Sequence, residues 1–239
     1  MQLDPIAVIR TEITGKFGIP RQSGLVPELT AEIVFLPAYS QPDAVRGLTG
    51  FSHIWLIWGF HEAKKPAGKG WSATVRPPRL GGNQRVGVFA TRSPFRPNSL
   101  GLSCVRLEAV HSGEKPLRLT VSGADLLDGT PIYDIKPYLP FADSIPDAAE
   151  GYTAQTKQHF LTVDFPPELA AILPAEKRQA AEALLRQDPR PGYSEDPDRV
   201  YGIIYAGYDI RFHAAGGKLT VCAVVPANGK EFTPNAENL

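Results

Sequence analysis

The stretch that decides the fold is Arg85–Leu107, RVGVFATRSPFRPNSLGLSCVRL. Two apolar runs, Val86–Ala90 and Leu100–Leu107, flank a loop carrying Arg92, Pro94, Arg96, Pro97 and Asn98. Just downstream, Leu117, Leu119 and Val121 alternate with Arg118, Thr120 and Ser122. A period of two marks a half-buried strand. Asp128-Gly129-Thr130-Pro131 then reads as a turn, opening a strand on which Asp134, Lys136 and Tyr138 share one face. A polar, proline-braced loop between buried strands is where a rigid scaffold presents chemistry.

Working outward, Ile6 and Val8 begin a strand that ends at Arg10-Thr11, and Thr14–Gly24 is a polar, glycine-punctuated loop. Ile33–Leu36 is a short strand. Pro42–Leu48 is expected to form a helix of one or two turns, with proline at its first position. Phe51–Phe60 is almost wholly apolar and reads as a strand buried on both faces. A Lys/Gly/Pro loop at 64–70 leads to a short strand at Ala73–Arg76. Short strands with Gly/Pro turns continue to about Pro140, the spacing of a barrel or sandwich. After Ala148 the pattern changes: Pro167–Gln187 is helical, with Pro174 starting a second helix and Asp188-Pro189 stopping it. Tyr201–Phe212 and Leu219–Val225 read as two strands joined through Ala-Ala-Gly-Gly. The expected fold is mainly β, α+β overall: a small β-barrel in residues 1–149 and a smaller α+β unit, helices then a hairpin, in 150–239.

Composition limits the function classes. The chain has 239 residues, 43% of them hydrophobic, as in ordinary globular domains. No apolar run approaches the ~18 residues that a membrane helix needs, and the start, MQLDPIAVIR, lacks a basic leader before an apolar core, so a cytoplasmic protein is expected. The two cysteines, Cys104 and Cys222, sit in apolar strand patterns and read as buried thiols. His53 and His61 have no third ligand nearby, so no metal is expected. Net charge is zero, yet the 64–107 window holds nine basic residues, among them Lys64, Lys65, Arg76, Arg92 and Arg96, and no acidic one. A locally basic surface suits a phosphate-bearing partner, or it is a solvated charged face. Gly81-Gly82-Asn83 is followed by strand residues rather than a helix, so there is no dinucleotide fingerprint. No G-x-S-x-G elbow surrounds Ser99 or Ser103, which leaves a serine hydrolase weakly supported. From these residues alone no cofactor can be named.

Longer strings carry a resemblance: GIPRQSGL at 18–25, AVRGLTGFSHIWLIWGFHE at 44–62, PRLGGN at 78–83, GVFATRSPFRPN at 87–98, DGTPIYDIKPYLPFADS at 128–144 and DPRPGY at 188–193. Over nearly its whole length the chain resembles the TsaA-like (TrmO) family of S-adenosylmethionine-dependent tRNA (adenine-37-N6)-methyltransferases. The resemblance implies a β-barrel that binds S-adenosylmethionine without a Rossmann unit. It implies a homodimer, and a tRNA substrate whose adenosine 3′ of the anticodon already carries a threonylcarbamoyl group. Cofactor contacts would fall on Pro20, Arg21, Gln22, His61, Glu62, Arg92, Leu102, Asp128, Gly129, Thr130 and Pro131. In such a site Arg92 suits the methionine carboxylate, and a carboxylate such as Glu62 or Asp128 suits an amine or the ribose hydroxyls. Asp134 becomes the candidate proton acceptor, with Lys136 and Tyr138 orienting the substrate. Lys64, Lys65, Arg76 and Arg96 are candidate RNA contacts, Phe95 could stack on a loop base, and Arg190 and Tyr193 could reach the anticodon loop. Bland readings stand beside each of these: Asp128-Gly129 as a mere hairpin turn, Asp134 and Lys136 as an ion pair, DPRPGY as a stiff linker, and the whole chain as a non-catalytic RNA-binding barrel.

Overall fold

The computed structural model describes residues 2–15, 17–63, 71–80, 83–156, 160–190 and 196–227. Its strands, in chain order, are β1 (Ala7–Arg10), β2 (Thr30–Phe35), β3 (His53–Gly59), β4 (Thr74–Val75), β5 (Val86–Gly87), β6 (Leu100–His111), β7 (Arg118–Ser122), β8 (Pro131–Pro137), β9 (Thr162–Asp164), β10 (Tyr201–Tyr205), β11 (Tyr208–Ala215) and β12 (Lys218–Pro226). The helices are α1 (Pro140–Asp143), α2 (Pro167–Ala170) and α3 (Ala175–Arg186).

Alternation builds the first layer. Six antiparallel strands close in the order β1-β2-β7-β6-β3-β8, with β8 returning to β1 through Ala7↔Ile132 and Val8↔Pro131. Closure leaves no sheet edge to cap. Ala7, Ile9, Ile33, Ile54, Leu56, Leu119, Val121 and Ile132 point inward and have no exposed surface. Burying a side chain of this size is worth roughly 1.5–3 kcal/mol. The mainly-β, barrel-centred expectation therefore holds.

Several local expectations change. The run at 51–60 is not buried on both faces: Ile54, Leu56 and Trp58 point inward, while His53, Trp55 and Ile57 lie half-exposed outside. A barrel has one dry face, and aromatic outer residues disguise the alternation. Residues 42–50 form 3-10 turns, Pro42–Val45 and Leu48–Gly50, rather than an α-helix. The run at 86–90 pairs with β4 only through Val86 and Gly87 before a 3-10 turn at Val88–Ala90. The stretch read as one strand at 201–212 is two, β10 and β11, reversed at Ala206-Gly207, where both residues have positive φ. An apolar run masked that turn, because Ala206 is not a turn-type residue.

The second sheet has the order β10-β11-β12-β9, with β9 parallel to β12. Pro166 and Pro174 sit at the N-caps of α2 and α3. Helix α3 buries Ala180, Ala181, Leu184 and Leu185, the i, i+1, i+4, i+5 spacing of one helical stripe. Its core is not purely C-terminal: Ile13, Val26 and Leu29, from the segment between β1 and β2, join Leu184, Ile203 and Phe212 in one apolar cluster, with Ile19 packed against it. Ala206 N donates to Glu12 O at 3.1 Å, and Lys177 Nζ meets Glu12 Oε1 at 2.8 Å. The 13–29 segment is thus held by the second sheet while it runs beside the barrel. Among the described residues, no helix is long and apolar enough to cross a membrane.

Candidate active site

Where the 13–29 segment passes the barrel, a cleft of about 530 Å³ opens. Three parts of the chain form it: the corner at Ile19–Gln22; β3 and its exit at Ile57–Ala63; and the Thr91–Leu102 loop with the start of β6. Asp125, Leu126, Leu127 and Thr130 close the remaining side. Its size suits a nucleotide-like molecule.

The apolar wall has a cause in one glycine. The indole of Trp58 lies across Gly101, where a Cβ would be 2.2 Å from a ring atom. Only a residue without a side chain admits the ring there. Phe60 packs against Trp58 with centroids 4.3 Å apart, and Leu102 stands more than half exposed at the cleft. This surface can accept a flat ring or a thioether.

The polar wall carries opposite charges. Arg92 donates from Nη1 to Gln22 Oε1, joining two loops far apart in sequence. Arg96 turns back on its own loop, donating Nη1 to Thr91 O at 2.9 Å and to Ser93 O at 3.4 Å. Arg21 Nη2 donates to the carbonyls of Asp188 and Arg190, both at 3.3 Å. Asp125 is the carboxylate among the described residues lining the cleft. Its Oδ1 accepts from Ser103 Oγ at 2.5 Å, and Ser103 Oγ accepts from Trp58 Nε1 at 2.9 Å. Burial pushes the Asp125 carboxyl above the usual aspartate range, against the opposing pull of the Ser103 hydroxyl, its own N–H, the Arg92 charge and the Ser23 N–H. The sequence reading passed over Asp125, Trp58 and Gly101, and considered Ser103 only as a nucleophile. A signal existed: Asp125 is an acid in an otherwise apolar run, Val121–Leu127, and a polar residue inside apolar sequence is the informative kind.

Of the residues expected at a cofactor site, Pro20, Arg21, Gln22, His61, Arg92, Leu102 and Thr130 line this cleft. Glu62 lies exposed next to His61. Asp128 faces the other way along its turn, accepting from Thr11 N at 3.1 Å and from Arg10 Nη1 at 3.3 Å. Gly129, at φ 76°, and Thr130 exchange backbone bonds with Ile9, and Pro131 begins β8. The DGTP turn therefore closes the barrel, with Thr130 reaching the cleft.

Asp134, Lys136 and Tyr138 do share a face, but it is the outer face of the barrel. Asp134 Oδ2 and Lys136 Nζ are 2.9 Å apart, with side chains 46% and 62% exposed. Tyr138 packs beside His53 and Trp55. A register shift at Ile57/Trp58 skips one residue of β8. Ile132 and Ile135 both turn inward, and Asp134 is left outside.

Among the candidate RNA contacts, Arg76 is exposed just after β4; the exposed rings of Trp71 and Phe89 pack with centroids 5.8 Å apart. Phe95 is also exposed. Arg190 is not: it pairs with Asp188 through Nε at 2.8 Å and is largely buried. Lys64, Lys65 and Tyr193 lie outside the described residues. Among the described residues, no three His, Cys, Asp or Glu side chains are grouped to hold a metal ion.

An antiparallel closed barrel with a nucleotide-sized cleft, extended by a small α+β unit that holds one cleft loop, defines the class: a non-Rossmann barrel protein built around a small-molecule site. Comparison with known proteins narrows it. Residues 8–144 match the tRNA-methyltransferase O N-terminal domain, and residues 158–227 match the TrmO C-terminal domain. The chain belongs to the tRNA-methyltransferase O family. It is 42% identical over 233 residues to the tRNA (adenine(37)-N6)-methyltransferase of Escherichia coli K12, covering 94% of this chain and 98% of that one. It is 49% identical over 180 residues to the enzyme of the same name from Eikenella corrodens, covering 75% and 99%. The crystal structure of TrmO from Pseudomonas aeruginosa superposes with a TM-score of 0.75 at 34% identity, over 94% of this chain and 98% of that one.

Proposed function

We propose that this protein is a tRNA methyltransferase that transfers a methyl group from S-adenosylmethionine to N6 of threonylcarbamoyladenosine at position 37, beside the anticodon. The observation that carries this reading is the full-length likeness to the Escherichia coli enzyme, joined to a cleft whose chemistry fits the methyl donor. The fit rests on the side chains present. Arg92 offers a guanidinium for a carboxylate. Trp58, Phe60 and Leu102 receive apolar surface. Pro20–Gln22, His61 and Thr130 would complete the binding set. Glu62, Asp128, Gly129 and Pro131 flank it.

When bound, S-adenosylmethionine supplies an electrophilic methyl group on a positively charged sulfur. The chain's own work is positioning for in-line attack and removal of the N6 proton. N6 of the threonylcarbamoyl nucleoside is a urea-type nitrogen, easier to deprotonate than a plain exocyclic amine, so a modest base suffices. Exposed Arg76, with the rings of Trp71, Phe89 and Phe95, suits an RNA loop held by phosphate contacts and base stacking. We also read the protein as a cytoplasmic homodimer whose barrel unit, residues 1–149, carries the chemistry, and whose unit at 150–239 braces the cleft loop and the RNA.

The test is methylation of total tRNA from cells lacking the activity, followed by nucleoside mass spectrometry. Appearance of N6-methylated threonylcarbamoyladenosine is expected, and its absence in the presence of bound S-adenosylmethionine would remove the reading. A non-catalytic RNA-binding barrel, by contrast, would ignore S-adenosylmethionine in calorimetry. Sedimentation at micromolar concentration checks the dimer.

A further inference from the structure

We infer that Asp125, not the outer-face Asp134, is the carboxylate that takes the proton from the attacking nitrogen, and that Ser103 and Trp58 are positioning residues that keep it ready to do so. The inference rests on the methyltransferase reading above.

Three observations carry it. First, location: Asp125 lines the cleft, whereas Asp134, beside Ile57 on the outer face, is not among the lining residues and is paired with Lys136 at 2.9 Å. A proton acceptor must come within hydrogen-bond reach of the reacting atom. Second, orientation. An indole N–H can only donate, so Trp58 fixes Ser103 Oγ as an acceptor at 2.9 Å and directs the hydroxyl proton to Asp125 Oδ1 at 2.5 Å. Oδ1 is thereby held as an acceptor, and a proton arriving at this carboxyl goes to Oδ2. Third, barrel-interior space is used for this purpose. Ser103 is buried, Trp58 is nearly so, and Gly101 is kept bare of a side chain to admit the indole.

The titratable and charged groups that line the cleft with Asp125 are Arg92 and Arg96 from the loop before β6, Arg21 from the 13–29 segment and His61 after β3. Asp128, three residues on, is engaged with Arg10. Burial raises the proton affinity of Asp125, against the weaker opposing pull of the Ser103 hydroxyl and the Arg92 charge. A carboxyl raised in this way is more basic than an exposed aspartate.

The step balances. The N6 lone pair forms the bond to the methyl carbon, the carbon–sulfur bond breaks with its electron pair going to sulfur as a neutral thioether, and the N6 proton passes to Asp125. The carboxylic acid then returns the proton to water. As the new bond forms, positive charge builds on N6, so a carboxylate placed there stabilises the transition state more than the ground state.

The experiment compares wild type, Asp125→Asn, Asp134→Asn and Ser103→Ala by calorimetry with S-adenosylmethionine, by single-turnover methylation of tRNA across pH, and by carbon NMR titration of aspartate carboxyls in the free protein. Asp125→Asn is expected to bind S-adenosylmethionine within about threefold of wild type and to lose roughly 100-fold or more in single-turnover rate. In wild type the rate falls at low pH as Asp125 protonates. Ser103→Ala removes a hydrogen bond to the charged form, so both the acid limb of the rate profile and the Asp125 titration should move to higher pH. Wild-type turnover in Asp125→Asn overturns the inference. So does a loss fully restored by saturating S-adenosylmethionine, which would make Asp125 a ligand for the cofactor's cation. Loss confined to Asp134→Asn overturns it too. Should Asp125→Asn fail to fold, an acid limb unmoved in Ser103→Ala overturns it, and a shifted limb supports it. If wild type itself binds S-adenosylmethionine but methylates no tRNA, the proposed function fails instead.

Discussion

Arg190→Ala separates a structural from an RNA-contacting role for the segment that follows α3. The guanidinium meets Asp188 through both oxygens, Nε to Oδ1 at 2.8 Å and Nη2 to Oδ2 at 2.9 Å. The two side chains are 14% and 8% exposed, and Nη1 donates to Ala214 O of β11 at 3.1 Å. Removing one partner of a buried ion pair costs about 3–5 kcal/mol, mostly because the other charge stays desolvated. The bond to Ala214 is worth about 1 kcal/mol more. Set against a total stability of roughly 5–15 kcal/mol, this is a severe loss. With a urea slope of about 2–3 kcal/mol per M, the unfolding midpoint should fall by more than about 1 M. Combining it with Asp188→Asn, which tolerates the left-handed φ of 53° at that position, should cost less than the sum of the two single changes, because both act on one contact. Urea titration followed by fluorescence and circular dichroism measures all three variants. An unmoved midpoint, together with a several-fold rise in KM for tRNA, would refute the structural reading and return Arg190 to the RNA interface.

Other outcomes follow from the cleft and the second core. Arg92→Ala should raise the Kd for S-adenosylmethionine by roughly 10–100-fold, the loss of one charged hydrogen-bond partner at about 1.5–3 kcal/mol; calorimetry reads it, and an unchanged midpoint in urea shows that the fold survives. Gly101→Ala would place a Cβ 2.2 Å from the Trp58 ring, so the indole must leave Ser103; overpacking of this kind costs about 1–3 kcal/mol, and the near-ultraviolet tryptophan signal should change with it. Burial, with the nearby Glu12 charge, pushes the Tyr205 phenol up to about 12. A folded-state pKa raised above the unfolded value of about 10 means that the stability it contributes is intact below pH 10. That stability is lost as pH rises toward 12, at about 1.4 kcal/mol per unit. Tyr205→Phe should remove this component of alkaline unfolding, and denaturation midpoints between pH 9 and 12 check it.

Much of the fold could be read locally. Leu117, Leu119 and Val121 are all buried, as their alternation required, and the helical stripe of α3 and its Pro174 start followed from spacing and punctuation. Alternation is a property of neighbours two apart, so it survives in a one-dimensional string. The errors lie where a strand departs from that period. The skipped residue in β8 turns Ile132 and Ile135 inward together and puts Asp134 outside, and a register between two strands is not written in either strand's own alternation. The motif strings pointed to the family, and the family match covers both units. The cleft itself belongs to the tertiary structure. Gln22 meets Arg92 across 70 residues, Trp58 meets Ser103 across 45, and Ser103 meets Asp125 across 22. The loop bearing Gln22 is held in place by a core whose other members come from the far end of the chain. Sequence determined which residues face inward and which turn the chain. Only closure of the barrel, which fixes register between distant strands, decided which acid shares the cleft with the arginines and which faces water.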